Sequence, residues 1–221
     1  MKIIDLTQTL KTGMRGFSSL SAKTTEKDGW NASLLEIYSH AGTHIDAQPH
    51  FGAGKTGIDR IPVENFVAEC QVIDLTGIPP RSVIKPDSLG KNRHQIKPGN
   101  GLIIKTGWSK YVDEPEMYRN SLPRVGEELA LWCVRSKIRM LAVEPPSVAD
   151  VNNITELKRI HTLLLKAGIV IIEGLANTEQ ITSDRVLLIA LPLKIESGDG
   201  APCRVIAMEG KFSFKPDKSL Q

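Results

Sequence analysis

The sequence predicts an α/β fold in which mixed β-sheets are covered by a few helices. Three observations lead there. Short runs rich in Val, Ile and Leu recur along the whole chain. Amphipathic helical patterns are fewer and fall between some of these runs. Stretches rich in Gly, Pro and Asp, notably Gly77-Ile-Pro-Pro80 and Ser197-Gly-Asp-Gly-Ala-Pro202, separate them. Strands that outnumber interspersed helices bury their apolar faces most simply as a sheet with helical cover. All 221 residues are expected to form one domain, large enough to bury a core without staples.

Taken in order, residues 3–6 open the chain as a strand. A second strand, 32–39, leads directly into a run of histidines. A short helix is expected over 62–68. Strands follow at 70–75, 101–105 and 140–143. Between the last two, 126–137 reads as a helix, with Leu129, Trp132 and Cys133 at i, i+3 and i+4. Another helix over 154–167 puts Leu157, Ile160, His161 and Leu164 on one face, and Gly168 stops it. Strands at 169–172, 186–191 and 203–208 close the series. Several of these runs are continuously apolar, as expected for strands covered on both faces.

Composition narrows the function classes. Hydrophobic residues make up 41% and charged residues 24%, ordinary for a soluble globular protein. The net charge of +3, from 28 basic and 25 acidic residues without a compact basic stripe, argues against nucleic acid. The basic run from Lys211 to Lys218 reads as a solvated tail. The three cysteines, Cys70, Cys133 and Cys203, form no CxxC pair and read as buried free thiols of a reducing compartment. The opening Met1-Lys-Ile-Ile-Asp-Leu-Thr turns polar too soon for a signal peptide, and no apolar run approaches a membrane span. The expected location is the cytoplasm.

The chemistry is concentrated in His40-Ala-Gly-Thr-His44-Ile-Asp46-Ala-Gln-Pro-His50. Three of the five histidines lie in this segment. His40, His44, Asp46 and His50 are separated by even offsets, which point to one face of an extended chain. A helix would rotate Asp46 away from His40 and His44, and Gly42 and Pro49 argue against one. A strand end passing into a loop is therefore expected. Imidazole and carboxylate groups are good ligands for zinc, manganese and similar ions. A histidine near them can also move protons at neutral pH.

This run resembles the H-x-G-T-H-x-D-x-P-x-H signature of the cyclase family of metal-dependent hydrolases, which includes bacterial kynurenine formamidases and isatin hydrolases. The resemblance extends over most of the chain, through Leu102-Ile-Ile-Lys-Thr-Gly-Trp108, His161, Ile171-Ile-Glu173-Gly-Leu-Ala-Asn177 and Leu191-Pro-Leu-Lys194. It implies a swivelling β/β/α-type fold. It also implies His40, His44 and Asp46 as metal ligands, His161 and Glu173 completing a site for one or two divalent ions, zinc or manganese, and His50 as proton donor and acceptor. A small-molecule substrate and a homo-oligomer, dimer or tetramer, are further implications.

The second ligand pair is geometrically feasible. A helix from His161 to Ala167 advances about 9 Å. A strand returning from Ile169 to Glu173 covers roughly 13 Å. Two departures stand out: Gln48 occupies the family's proline position, with Pro49 one residue later, and Met14-Arg-Gly-Phe17 replaces a tryptophan-containing loop of kynurenine formamidases. That second departure points away from kynurenine formamidase activity itself. Phe17, Gln48 and Trp108 are candidate substrate contacts. Glu144-Pro-Pro-Ser147 reads as a rigid turn after a strand, and Gly198-Asp-Gly200 as a tight turn. The reaction expected is hydrolysis of an amide C–N bond, N-formyl, lactam or imide-like. The alternatives are a metal-dependent cyclase, dehydratase or isomerase, and a metal- or ligand-binding module without catalysis.

Overall fold

The computed structural model describes residues 1–210; the basic run from Lys211 to Lys218 lies outside the described residues. The strands are β1 (Lys2–Asp5), β2 (Phe17–Lys23), β3 (Ala32–Ile37), β4 (His44–Asp46), β5 (Val67–Asp74), β6 (Val83–Ile84), β7 (Gly101–Lys105), β8 (Arg124–Val125), β9 (Met140–Val143), β10 (Val170–Glu173), β11 (Arg185–Pro192) and β12 (Gly200–Glu209). The helices are α1 (Thr25–Asp28), α2 (Pro115–Asn120), α3 (Glu127–Arg135) and α4 (Ile154–Lys166).

The main sheet runs β1-β12-β11-β5-β7-β9-β10-β4, and β4 also pairs with β12. One edge of β12 is shared: Gly200, Ala201 and Pro202 face β4, and Ile206 to Glu209 face β1. Seven strands therefore close into a barrel-like ring, with β1 as an extension. The β5-β7-β9-β10 neighbours are parallel and the remaining pairs antiparallel, so the sheet is mixed. Closure removes the exposed edges that an open sheet would leave.

The ring explains the unbroken apolar runs. Ile45, Ile103, Ala142, Ile172, Leu188 and Val205 meet in one core inside it. Their neighbours Leu102, Ile104, Leu141 and Ile171 point outward into a second core, closed by Leu129 and Cys133 of α3 and Ile160 and Leu164 of α4. Side chains alternate in direction, but both directions are buried. Helix α4 begins at Asn153, whose side chain accepts from the Glu156 N–H, and it ends just before Gly168 at φ +73°.

Several expectations need correction. The helix expected over 62–68 is one 3-10 turn, Val63–Phe66, because Val67 and Ala68 are captured by pairing with Ile189 and Leu188 of β11. The strand expected over 32–39 stops at Ile37. It pairs with β2 in a separate two-stranded ribbon, and β2 itself, with its serines, gave no strand signal. All three cysteines are buried and free. Among the described residues no helix is long and apolar enough to cross a membrane.

Candidate metal centre

The histidine run is not one extended segment. A turn closed by Ala41 N–H donating to Tyr38 O, with Gly42 at φ +60°, separates His40 from β4. His50 lies beyond β4 in the 3-10 turn Gln48–Phe51. Only His44 and Asp46 share a strand face, opposite Ile45, which points into the ring. On β10, Glu173 pairs with His44 and Ile171 with Asp46, so Glu173 joins that outer face. Helix α4 covers it and directs His161 towards the same point.

Four side chains converge there. His161 Nε2 lies 3.2 Å from Glu173 Oε1 and 3.4 Å from Asp46 Oδ2. His44 Nε2 lies 3.3 Å from Glu173 Oε2 and 3.5 Å from Asp46 Oδ1. All four residues are buried. Backbone contacts fix the rings. His161 Nδ1 donates to Leu157 O at 2.7 Å and His44 Nδ1 to Gly42 O at 2.9 Å. Carbonyls only accept, so each Nδ1 carries a proton and each Nε2 is the atom left facing the carboxylates, where it donates a second proton or holds a cation. Asp46 Oδ2 is buried without a hydrogen-bond partner. Burial disfavours the charged forms. The His161 and His44 contacts overcome it and hold Glu173 well below the usual carboxylate range, and Glu173 in turn raises both histidines. A divalent cation satisfies all these groups at once, and the donor set suits one.

His40 stands at the margin of this cluster. Its Nδ1 lies 2.8 Å from Asp46 Oδ1 and its Nε2 3.1 Å from Asp199 Oδ2. Burial works against protonation of this ring, but the two carboxylates raise its pKa nonetheless. His50 stacks on His40 with ring centroids 3.8 Å apart, and its Nδ1 is 3.7 Å from Asp199 Oδ2. Burial first, with the neighbouring His40 and His161 charges, lowers its pKa against the pull of Asp46 and Glu173, which favours neutral imidazole near neutral pH.

Two glycines let these segments approach. A Cβ on Gly200 would lie 2.7 Å from His40 Cε1, and one on Gly174, at φ +71°, would lie 2.5 Å from Gly42 O. Thr43 Oγ1 ties the same loops together, donating to Gly174 O at 2.6 Å and accepting from Gln8 N–H at 2.8 Å. The centre opens into a cavity of about 950 Å³, with His40, His44, His50, His161 and Glu173 on its wall.

The three substrate-contact candidates fall elsewhere; none lines this cavity. Trp108 is buried against Tyr111, with ring centroids 4.8 Å apart, and donates Nε1–H to Tyr118 O at 2.9 Å. Gln48 braces its own loop by donating to Leu165 O and accepting from Thr56 N–H. Phe17 begins β2 and pairs with Ile37. Glu144 accepts from the N–H groups of Thr106, Gly107 and Ser109, a turn-holding role. Sequence reasoning missed Asp199, read as part of a tight turn. Ala47 N–H donates to its carbonyl at 2.8 Å, setting it beside the centre. Tyr38, Arg15 and Arg119 on the cavity wall were also missed.

The chain as a whole is similar to several known proteins. The family model described as "Putative cyclase" matches residues 4–150. A kynurenine formamidase of Salinibacter ruber is 27% identical over 184 residues, covering 83% of this chain and 82% of that one. Among solved structures, isatin hydrolase A from Labrenzia aggregata, bound to benzyl benzoate, superposes with a TM-score of 0.85 at 26% identity, covering 93% of each chain. A structure described as a potential metal-dependent hydrolase with cyclase activity superposes with a TM-score of 0.74 at 26% identity, covering 93% of this chain and 96% of the other.

Proposed function

The chain belongs to the Cyclase family, and on that premise we propose that it is a metal-dependent hydrolase that cleaves an amide C–N bond of a small molecule, N-formyl, lactam or imide-like. The observation that carries this reading is the convergence of His44, His161 and Glu173 on one cavity wall, with the buried Asp46 behind them and a neutral His50 beside them. His40, His44 and Asp46 would hold one divalent ion, zinc or manganese. His161 and Glu173 would complete the set for one or two ions. An ion on His40 would replace the proton that now lies between it and Asp46. When bound, the ion supplies Lewis acidity, lowering the pKa of a water and polarising the scissile carbonyl.

The remaining chemistry belongs to the chain. His50 takes a proton from the attacking water and delivers it to the departing nitrogen. Its Nδ1 is turned towards Asp199, so Nε2 is the atom that carries the transferred proton. Asp199 stabilises the imidazolium formed in between. Phe51, stacked edge-on against His50 at 4.2 Å, limits how far that ring can swing. The free buried thiols favour the cytoplasm, and the exposed apolar face of the β2–β3 ribbon favours a homo-oligomer.

The test is to load purified protein with zinc or manganese and offer N-formyl aromatic amines, isatin-like lactams and cyclic imides in oxygen-18 water. Products that have gained one water, with the label in the new carboxylate, support hydrolysis. Turnover without added water overturns it in favour of a cyclase or isomerase. Bound metal without turnover of any amide leaves a binding module.

A further inference from the structure

Past the pair formed by Glu173 and His44, β10 and β4 part. Gly174 N–H turns to Pro145 O at 2.9 Å and Leu175 N–H to Val143 O at 3.0 Å, both away from β4. A side chain then joins the two turns. Gln8 reaches them from the segment after β1, and its backbone is fixed. Leu6 N–H donates to Val205 O at 2.8 Å, Leu6 O accepts from Ala176 N–H at 2.9 Å, and Thr7 Oγ1 accepts from Val205 N–H at 2.9 Å. The Gln8 Nε2 group donates to Gly174 O at 2.9 Å. Its backbone N–H donates to Thr43 Oγ1, which donates on to Gly174 O. Gly174 follows Glu173 and Thr43 precedes His44. The three bonds close a ring that continues the strand pairing one residue beyond the two ligands.

The bonding fixes the orientation of the Gln8 amide. Gly174 O only accepts. The Tyr118 hydroxyl donates its single proton to Glu144 O at 2.8 Å, so it accepts from Gln8 Nε2, also at 2.8 Å. Both Nε2 hydrogens are thereby used, and Oε1 is left buried without a hydrogen-bond partner. Neither acceptor depends on the amide, because Gly174 O keeps the Thr43 hydroxyl and Tyr118 keeps Glu144 O. An apolar side chain of the same length would leave these groups paired and remove an unsatisfied acceptor, which costs stability where it is buried. A side chain that breaks a local rule beside a site is kept for what it does there. What the amide does is hold the turn after Glu173 against the turn before His44.

We infer that Gln8 is a positioning residue for the metal centre, setting the spacing of Glu173 and His44 through Gly174 and Thr43. This rests on the metal reading above but not on hydrolysis. Gln8→Met keeps the length of the side chain and the backbone bond to Thr43, and removes only the amide. Chemical denaturation of the metal-free protein should find the variant at least as stable as the unmodified chain. Its zinc affinity, titrated calorimetrically, should nevertheless fall roughly 10-fold. The visible spectrum of the cobalt-loaded variant should shift, because the ligand geometry changes. At saturating zinc, kcat on an N-formyl aromatic amine should fall roughly 10-fold while KM stays within about twofold. Gln8→Glu, of equal length but acceptor-only when ionised, should lose the same affinity and be destabilised as well. Unchanged zinc affinity and cobalt spectrum in Gln8→Met overturn the inference. So does a Gln8→Met protein less stable than the unmodified chain, which would make the role structural. A raised KM with unchanged affinity also overturns it, by making Gln8 a substrate contact. Affinity lost in a chain that cleaves no amide keeps the inference and removes the hydrolase reading. An unmodified chain that binds neither zinc nor cobalt removes the metal reading and the inference together.

Discussion

His161 donates its Nδ1 proton to Leu157 and aims Nε2 at two carboxylates, whereas His50 has no such backbone anchor and lies on the open wall. That contrast separates holding an ion from moving a proton. His50→Ala should retain bound metal and lose about 100- to 10,000-fold in kcat, the usual contribution of a positioned acid–base group. Glu173→Gln replaces a carboxylate whose two oxygens face His161 and His44 with an amide that is a poor ligand. It should weaken metal affinity by at least about 100-fold, with activity lost in parallel. Metal content after dialysis, measured beside steady-state rates, distinguishes the two. A His50→Ala protein that is active, or that is inactive because it is metal-free, would contradict the division of roles. The spacing of His44 and Asp46 was legible because i and i+2 share a face in any strand. Asp199 was not, since it reaches the centre only through the pairing of β12 with β4, far apart in sequence.

At the scale of elements, α4 shows how a local signal serves a distant site. Asn153 caps it by accepting from Glu156 N–H at 3.1 Å, eight residues before His161. Asn153→Ala should cost about 1 kcal/mol of stability. Because the second and third turns remain packed on the sheet through Ile160 and Leu164, metal affinity should change less than twofold. Chemical denaturation and metal titration of the same sample check both numbers; a large loss of affinity would mean that the cap positions His161. The central strands and the two long helices were readable because their apolar periodicities are strong. Two other segments were not. Residues 62–68 have a helical phase that pairing with β11 overrides, and β2 is rich in serine because it lies in an exposed ribbon. The even spacing of 40, 44, 46 and 50 suggested a single extended face, whereas the backbone there is turn, strand and 3-10 turn in succession.

At the scale of the molecule, the ring hides most strand edges, but the β2–β3 ribbon stands outside it. A two-stranded ribbon is marginal on its own. This one places Leu20 and Leu34 directly opposite each other, each 65% exposed, with Leu35, Trp30 and Tyr38 also more than half exposed nearby. Exposed apolar side chains gathered on one ribbon, with Leu20 and Leu34 on a single face, mark a contact surface. Two-fold self-association is the simplest closed way to cover it, because the same patch then serves both partners. Met14, Arg15 and Tyr38, at the base of the ribbon, also line the cavity, so assembly would stiffen one of its walls. Light scattering of the unmodified chain should therefore give at least twice the mass of the monomer. Leu20→Lys with Leu34→Lys should shift it to the monomer, since two buried cations facing their own copies repel. The closed sheet and metal affinity should persist, because neither leucine belongs to either core, while KM should rise as the wall loosens. A monomeric unmodified chain, or a double variant that remains assembled, would remove the ribbon as the interface.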